Sequence, residues 1–394
     1  MKRRRFLSMS AAAGAALWLP GTVGAHLAAQ PAARTATHIP ALRRYYGNLL
    51  ILIELKGGND GLNTVIPFAD PAYYRLRKNI GIKSEQAIQL DERTALHPSL
   101  EPLMPLWQSR QLAIVQGVGY PQPNLSHFRS IEIWDTASRS DQYLRDGWLT
   151  RAFTEARART GFGFAAEGVV IGSAEMGPLA NGDRAMALVS HAPIFDVIDV
   201  GMAQQAGRPH PIEGPLRFKT VFPYGAFGAS IETAMRILAA GATPQAKAER
   251  NDGFAAIRLT LNGFDTHRNQ PDRHHSLLKQ LADGLAAMRS ALIELGRWND
   301  TLVMTYGEFG RHPRENDSHG TDHGTVAPHF MMGGRVRGGL HGVPPELGRL
   351  DGNGNLPMAV DFRQLYATVL APWWGLDASA ILRQRFEPLP LLRV

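Results

Sequence analysis

The 394-residue chain contains no cysteine, which excludes disulfide staples, thiolate-bound zinc, iron–sulfur clusters and a thiol nucleophile. Any metal site must therefore be built from His, Asp, Glu, Asn and hydroxyl groups, a harder ligand set. Beyond the N-terminus no apolar run approaches the roughly 20 residues of a membrane span. Charge of one sign is also scarce. The formal charge is +7, and four of those charges are Lys2, Arg3, Arg4 and Arg5, leaving +3 for the rest. That balance gives no electrostatic ground for binding nucleic acid. What is present is 44% hydrophobic and 20% charged residues, enough to bury a large core and too apolar for a disordered chain.

The first 29 residues carry a cationic start, an Ala- and Gly-rich apolar stretch from Met9 to Pro20, and small residues suited to a peptidase. Arg3 and Arg4, followed by Phe6 and Leu7, resemble a twin-arginine signal. Cleavage is expected at Val23-Gly24-Ala25 or Leu27-Ala28-Ala29; an ordinary secretory signal or an uncleaved anchor is the alternative. A linker over 30–47 is expected, then one domain over 48–394, in a periplasmic or secreted bacterial protein.

From Asn48 aliphatic runs alternate with helical periodicity. Leu49 to Leu55 is a near-continuous apolar run ending at Gly57-Gly58, the pattern of a strand buried on both faces. Gln111–Gly117, Ala256–Leu261 and Thr301–Tyr306 repeat it, and Phe330-Met331-Met332 runs into Gly333-Gly334. His275 to Trp298 has apolar residues at three- and four-residue steps, a helix linking two parallel strands. These elements predict an α/β fold, an open, mostly parallel sheet with helices on both faces. The Gly/Pro-rich stretch over about 160–225 reads as an irregular cap or insertion.

Ligand sites in open α/β sheets lie beyond the carboxyl ends of the strands. Asn59, Asp60, Asn63 and Thr64 follow the first run, and Ser126-His127-Phe128-Arg129 follow the second. Asp265, Thr266 and His267 follow the third, Glu308 and Arg311 the fourth, and Asp322, His323 and Thr325 precede the fifth. Eight of the 14 histidines lie between 267 and 341, which points to a metal site in the C-terminal half joined by the first strand's end. Each piece has a plainer alternative. Asp60 suits a turn, Asp265-Thr266-His267 a helix cap, Glu308 and Arg311 an ion pair, Asp322-His323 a hydrogen-bonded turn, and Ser126 a helix cap. His274 and His275 read as solvated helix-start residues, and His312 and His319 as loop residues. Their shared location is what independent turn residues have no reason to have.

Five ordered motifs, Gly57–Thr64, Ser126–Ser130, Phe264–His267, Gly307–Arg311 and Gly320–Gly324, resemble the bacterial "domain of unknown function 1501" family. That family is similar in layout to the alkaline phosphatase and sulfatase superfamily, which implies an alkaline-phosphatase-like fold with metal ligands on strand ends. Carried over, the resemblance implies metal ligands at Asp60, Asp265, His267, Glu308 and His323, and a nucleophile at Ser126. Phe309 stands where a further ligand is expected, so Asp322 or His312 would have to fill in. Ser126 also lies outside the motif that sulfatases convert to formylglycine.

The expected function is thus metal-dependent hydrolysis of an anionic phosphate or related ester, small-molecule or polymer, with Ser126 or an activated water attacking. One or two divalent cations (zinc, manganese or calcium) are implied, with Arg129 and Arg311 stabilising charge and Asp322 supporting His323. The expected partner in export is the twin-arginine machinery, with no nucleic acid and no membrane span after cleavage. The rival reading is a non-catalytic periplasmic binding or assembly protein on the same fold.

Overall fold

The computed structural model describes residues 47–160, 167–191, 194–198, 218–241 and 254–393. The expected export signal and, except for Gly47, the expected linker lie outside them. In chain order the elements that matter are β1 (Leu49–Lys56), β2 (Leu112–Gly119), α1 (His127–Thr136), α2 (Trp148–Thr160), β3 (Gly168–Ile171), β4 (Ala185–His191), β5 (Ile194–Ile198) and α3 (Ala226–Gly241). They are followed by β6 (Ala256–Asn262), α4 (Gln270–Glu294), β7 (Thr301–Tyr306), β8 (Gly310–Glu315), β9 (Thr321–Gly324), β10 (Ala327–Met332), β11 (Gly339–Gly342), β12 (Val360–Asp361) and α5 (Phe362–Thr368).

The main sheet runs β11-β2-β10-β7-β1-β6-β3-β4-β5, with β12 also on β2. β1 lies parallel between β6 and β7, and β3 parallel between β4 and β6. Side chains alternate across this sheet, and both sides are covered. Leu49, Ile51, Ile53 and Leu55 join one core with Met235 of α3 and Leu278 and Leu285 of α4. Leu50 and Leu52 join the other with Trp134 of α1, Trp148 of α2 and Tyr366 of α5. Burial on both faces is why these strands read as continuous aliphatic runs rather than alternating ones. In the second core Trp134 stacks on Phe362 with ring centroids 4.2 Å apart, and Trp148 on Tyr366 at 4.3 Å.

Three features differ from the sequence reading. The linking helix α4 begins at Gln270 rather than His275, with Pro271 in its first turn, where a missing N–H costs nothing. Helix α4 buries His274, which is not solvated as expected; its Nε2 lies 2.9 Å from Asn59 Oδ1. Within 160–225, the strands β3, β4 and β5 extend the main sheet instead of forming a separate cap, while residues 161–166, 192–193 and 199–217 lie outside the description. Strand β10 is antiparallel to both β7 and β2. Its reversed direction is what brings residues preceding it to the edge where the other strands end. Among the described residues no helix is long and apolar enough to cross a membrane.

Just past β1, Asp60 is fully buried and takes Arg77 Nη1 at 2.5 Å and Nη2 at 3.0 Å. Gln270 of α4 donates to the same carboxylate, and Arg77 also donates to the Pro313 carbonyl at 2.5 Å. Burial works to raise the Asp60 carboxyl, but Arg77 and its neighbours hold it below the ordinary carboxylate range. Removing one partner of a buried pair costs about 3–5 kcal/mol. The variant Arg77→Met is accordingly expected to lose about that much stability in urea unfolding, and Arg77→Met with Asp60→Leu to recover part of it; a single variant as stable as the parent would contradict this.

Candidate metal centre

Strands β1, β6 and β7 end side by side, and glycines let the chain segments beyond them close in. Gly57 has φ 114°, and a Cβ there would sit 2.3 Å from the Asp265 nitrogen. A Cβ at Gly320 would sit 2.2 Å from the His267 carbonyl. Such approaches admit only glycine.

Against this frame four side chains converge. Asp265 follows β6, His267 lies two residues on, His323 sits on β9, and His127 opens α1. Their Nε2 atoms lie 3.5 Å (His127), 3.0 Å (His267) and 3.3 Å (His323) from Asp265 Oδ1. The Nε2 atoms of His267 and His323 are 3.0 Å apart. Every Nδ1 faces an acceptor on the other side: Glu308 Oε1 at 2.9 Å for His127, Asp322 Oδ1 at 3.3 Å for His267, and the Leu125 carbonyl at 2.8 Å for His323. A carbonyl only accepts, so His323 donates from Nδ1 and turns a bare Nε2 inward. The other two rings have a carboxylate at both nitrogens, Glu308 or Asp322 at Nδ1 and Asp265 at Nε2, and present the same bare Nε2 when Nδ1 donates backward. Neutral imidazoles so oriented would face lone pairs at one another and at a carboxylate oxygen. A cation resolves that arrangement, and a second hydrogen-bonded acceptor behind each ring is the usual support of metal-ligating histidine. The facing atoms of His127, Asp265 and His323 all lie within 4.8 Å of one another, the one such group among the described residues. Histidine and carboxylate donors suit zinc and other divalent ions. The donor set fits the implied metal.

The electrostatics agree. Burial pushes the Asp265 carboxyl up, but Arg311 and the imidazoles bring it to about 2, so it is an anion at any working pH. The hydrogen bond to Glu308 raises the His127 imidazole, whereas burial lowers that of His323.

Other residues read from the sequence take different places. Glu308 accepts from the Gly57 N–H at 2.8 Å and orients His127, while its Oε2 is buried with no partner. It does not pair with Arg311. Asp322 orients His267. The Arg311 side chain is 0% exposed. It donates to the carbonyls of Gly58 (2.8 Å), Thr321 (2.9 Å), Phe264 (3.0 Å) and Gly57, and to Asp265 Oδ1 at 2.6 Å. Arg311 is thus the clamp that sets Asp265, with nothing left to offer a substrate. Arg129 spends one nitrogen on the carbonyls of Arg139, Ser140 and Gln142, pairs with Glu132 and stacks on Tyr143. Asp60 is committed to Arg77 and Gln270. His312 faces the Asn353 carbonyl and is not brought to the cluster. The Phe309 ring packs 4.5 Å from that of His323 and 4.9 Å from that of His127, a wall rather than a ligand. Ser126 caps α1 but makes no cap hydrogen bond with its side chain. It stands between Leu125, whose carbonyl holds His323, and His127.

His127 is the residue the sequence reading passed over. It lay inside the motif Ser126–Ser130, where the hydroxyl drew attention; a histidine in the first turn of a helix that follows a strand was the available signal.

Residues 245–384 match the family model described as "Protein of unknown function (DUF1501)". That agrees with the resemblance drawn from the motifs, and the DUF1501 match holds Asp265, His267, Glu308, Asp322 and His323. No curated protein matches the chain. Solved structures similar to it include the lipoteichoic acid synthase LtaP from Listeria monocytogenes, at 10% identity, TM-score 0.37, covering 84% of this chain and 72% of that one. A protein in the alkaline phosphatase superfamily from Vibrio parahaemolyticus is similar at 10% identity and TM-score 0.40, covering 86% and 69%. The PsFucS1 sulfatase from Pseudoalteromonas sp. is similar at 9% identity and TM-score 0.42, covering 89% and 75%. The chemistry of the centre is carried by this chain's own side chains.

Loss of a partner that orients a metal-bound histidine typically costs 10–100-fold in metal affinity. Glu308→Ala and Asp322→Ala are each expected to weaken zinc binding by about that factor, read by competition with a chelator; unchanged affinity in both would remove the orienting roles.

Proposed function

We propose that this chain is an exported, metal-dependent hydrolase of a phosphate or related ester. The observation that carries the reading is the convergence of three imidazole Nε2 atoms on one Asp265 oxygen, each ring backed by its own acceptor. His127, Asp265, His267 and His323 would hold a divalent cation. Bound there, such an ion lowers the pKa of a nearby hydroxyl or water and stabilises negative charge on the reacting group.

The chain supplies the rest. Ser126 immediately precedes α1, a ten-residue helix, and its hydroxyl makes no cap hydrogen bond. The free N–H groups of the first turn point toward the same end and favour anionic oxygens. In the covalent route Ser126 Oγ loses its proton to solvent and bonds to phosphorus, while the ester alcohol leaves with a proton. Water then attacks phosphorus and releases the serine. In the direct route water attacks in its place. Export is supported by the Arg3-Arg4 start, and the anionic ester by the cationic character the centre would have when loaded.

One observation favours the rival reading of a metal-holding binding or assembly protein. Of the cations expected to steady the reacting charge, Arg311 is spent on backbone carbonyls and Asp265, and Arg129 is turned to Glu132 and the carbonyls of Arg139, Ser140 and Gln142. The two readings separate in one experiment. The mature chain is analysed for metal and assayed on p-nitrophenyl phosphate, bis-p-nitrophenyl phosphate and p-nitrophenyl sulfate with added zinc, manganese or calcium. Asp265→Ala and His323→Ala are expected to lose the metal and at least 100-fold of the turnover. Undiminished metal in both variants would overturn the centre; metal without turnover on every ester would favour the binder. Ser126→Ala that keeps metal but loses turnover supports the covalent route, and surviving turnover supports activated water.

A further inference from the structure

Gln116 lies on β2 and is 3% exposed, yet its carboxamide has no hydrogen-bond partner among the described residues. Its polar atoms are not sealed in the core, so an amide with no partner in the protein is left to meet whatever occupies the space beside it. Gln116 lines a cavity of about 350 Å³, within the range of about 300–1,000 Å³ usual for small-molecule sites. Its walls are apolar, among them Leu62, Val326, Pro328, Pro344, Leu356 and Pro357.

The backbone explains why the space exists. The ladder between β2 and β10 pairs Ala327 with Val118 and His329 with Val115, so Gln116 and Gly117 together oppose Pro328. That is a bulge, and Pro328 has no N–H with which to close the ladder. The opening falls beside the Gln116 side chain.

The lining also limits what can enter. Glu346 and Arg349 line the cavity but pair with each other at 3.2 Å and are well exposed. Arg311 is also a wall residue, but its side chain is 0% exposed and its guanidinium is bonded to carbonyls and Asp265. An ionised group entering would shed water and meet no free counter-charge. A carboxamide offers two N–H donors and a carbonyl acceptor, and its best complement is another carboxamide.

We propose that this cavity is a binding site for a small, neutral, apolar compound bearing one carboxamide, paired head to head with Gln116. The proposal stands apart from the hydrolase reading, since of the residues tied to the metal centre only Arg311 lines the cavity. The test titrates the mature protein with hexanamide and with hexanoate by ligand-observed NMR and calorimetry, alongside Gln116→Leu. Hexanamide is expected to bind saturably, one per chain, with hexanoate at least tenfold weaker. The Gln116→Leu variant is expected to bind hexanamide at least tenfold more weakly while melting no lower than the parent, because it buries no unpaired amide. Absence of saturable hexanamide binding, equal binding of hexanoate, or unchanged affinity in the variant would overturn the proposal. A lowered melting temperature would also overturn it, since the amide would then have an internal partner.

Discussion

One carboxylate oxygen sets the terms for the rest of the centre. Asp265 Oδ1 meets the Arg311 guanidinium at 2.6 Å and three imidazole nitrogens at 3.0–3.5 Å. Arg311 neutralises it from beneath, where the guanidinium is wholly buried and bonded to the carbonyls of three chain segments. The imidazoles crowd its open side, where Asp265 is 46% exposed. Electron-rich atoms packed this closely are tolerable only if something positive sits among them. The acceptors behind the rings keep each Nδ1 turned outward, so the positive charge among the Nε2 atoms has to come from a proton or a cation. The glycines at 57 and 320 and the buried arginine all serve this single convergence.

The sheet makes the convergence possible. β1, β6 and β7 run parallel and release their following residues at one edge. The antiparallel β10 approaches the same edge from outside, so β9, just before it, delivers His323. Helix α1, following β2, adds His127 from the fourth side. Were β10 parallel, the segment 320–325 would lie at the far edge and the centre would lose its most buried imidazole.

Much of this was legible. The five aliphatic runs became β1, β2, β6, β7 and β10 because strands covered on both faces leave a continuous apolar record. The edge location of Asp265, His267 and His323 followed from where those runs stop. What the sequence hid was the sorting of like residues into different jobs. Asp60 and Asp265 both follow a strand and a glycine, yet one is sealed against Arg77 and the other faces the cluster. The difference lies in a partner 17 residues away in sequence whose arrival is a tertiary event. Arg311 was hidden in the same way, because a guanidinium that could meet a substrate and one that stitches carbonyls look identical in a string. The strands β3–β5 were obscured by the glycines and prolines between them, which speak for turns more loudly than four- to seven-residue strands speak for a sheet.

The cluster also divides its imidazoles by environment. His127 lies between Glu308 and Asp265, two anions that favour its charged form, so it holds a proton more firmly than an ordinary histidine. His323, more buried and with its Nδ1 on a carbonyl rather than a carboxylate, gives its proton up more readily. With no cation present, a proton on His127 is the cheapest way to supply positive charge to Asp265 Oδ1. A divalent ion would displace it, because a coordinating imidazole must offer a bare nitrogen. Glu308 then has two successive partners through one oxygen, an imidazolium and a metal-bound imidazole. The same Oε1 accepts the Gly57 N–H at 2.8 Å, which fixes the carboxylate in place and so keeps His127 turned inward in both.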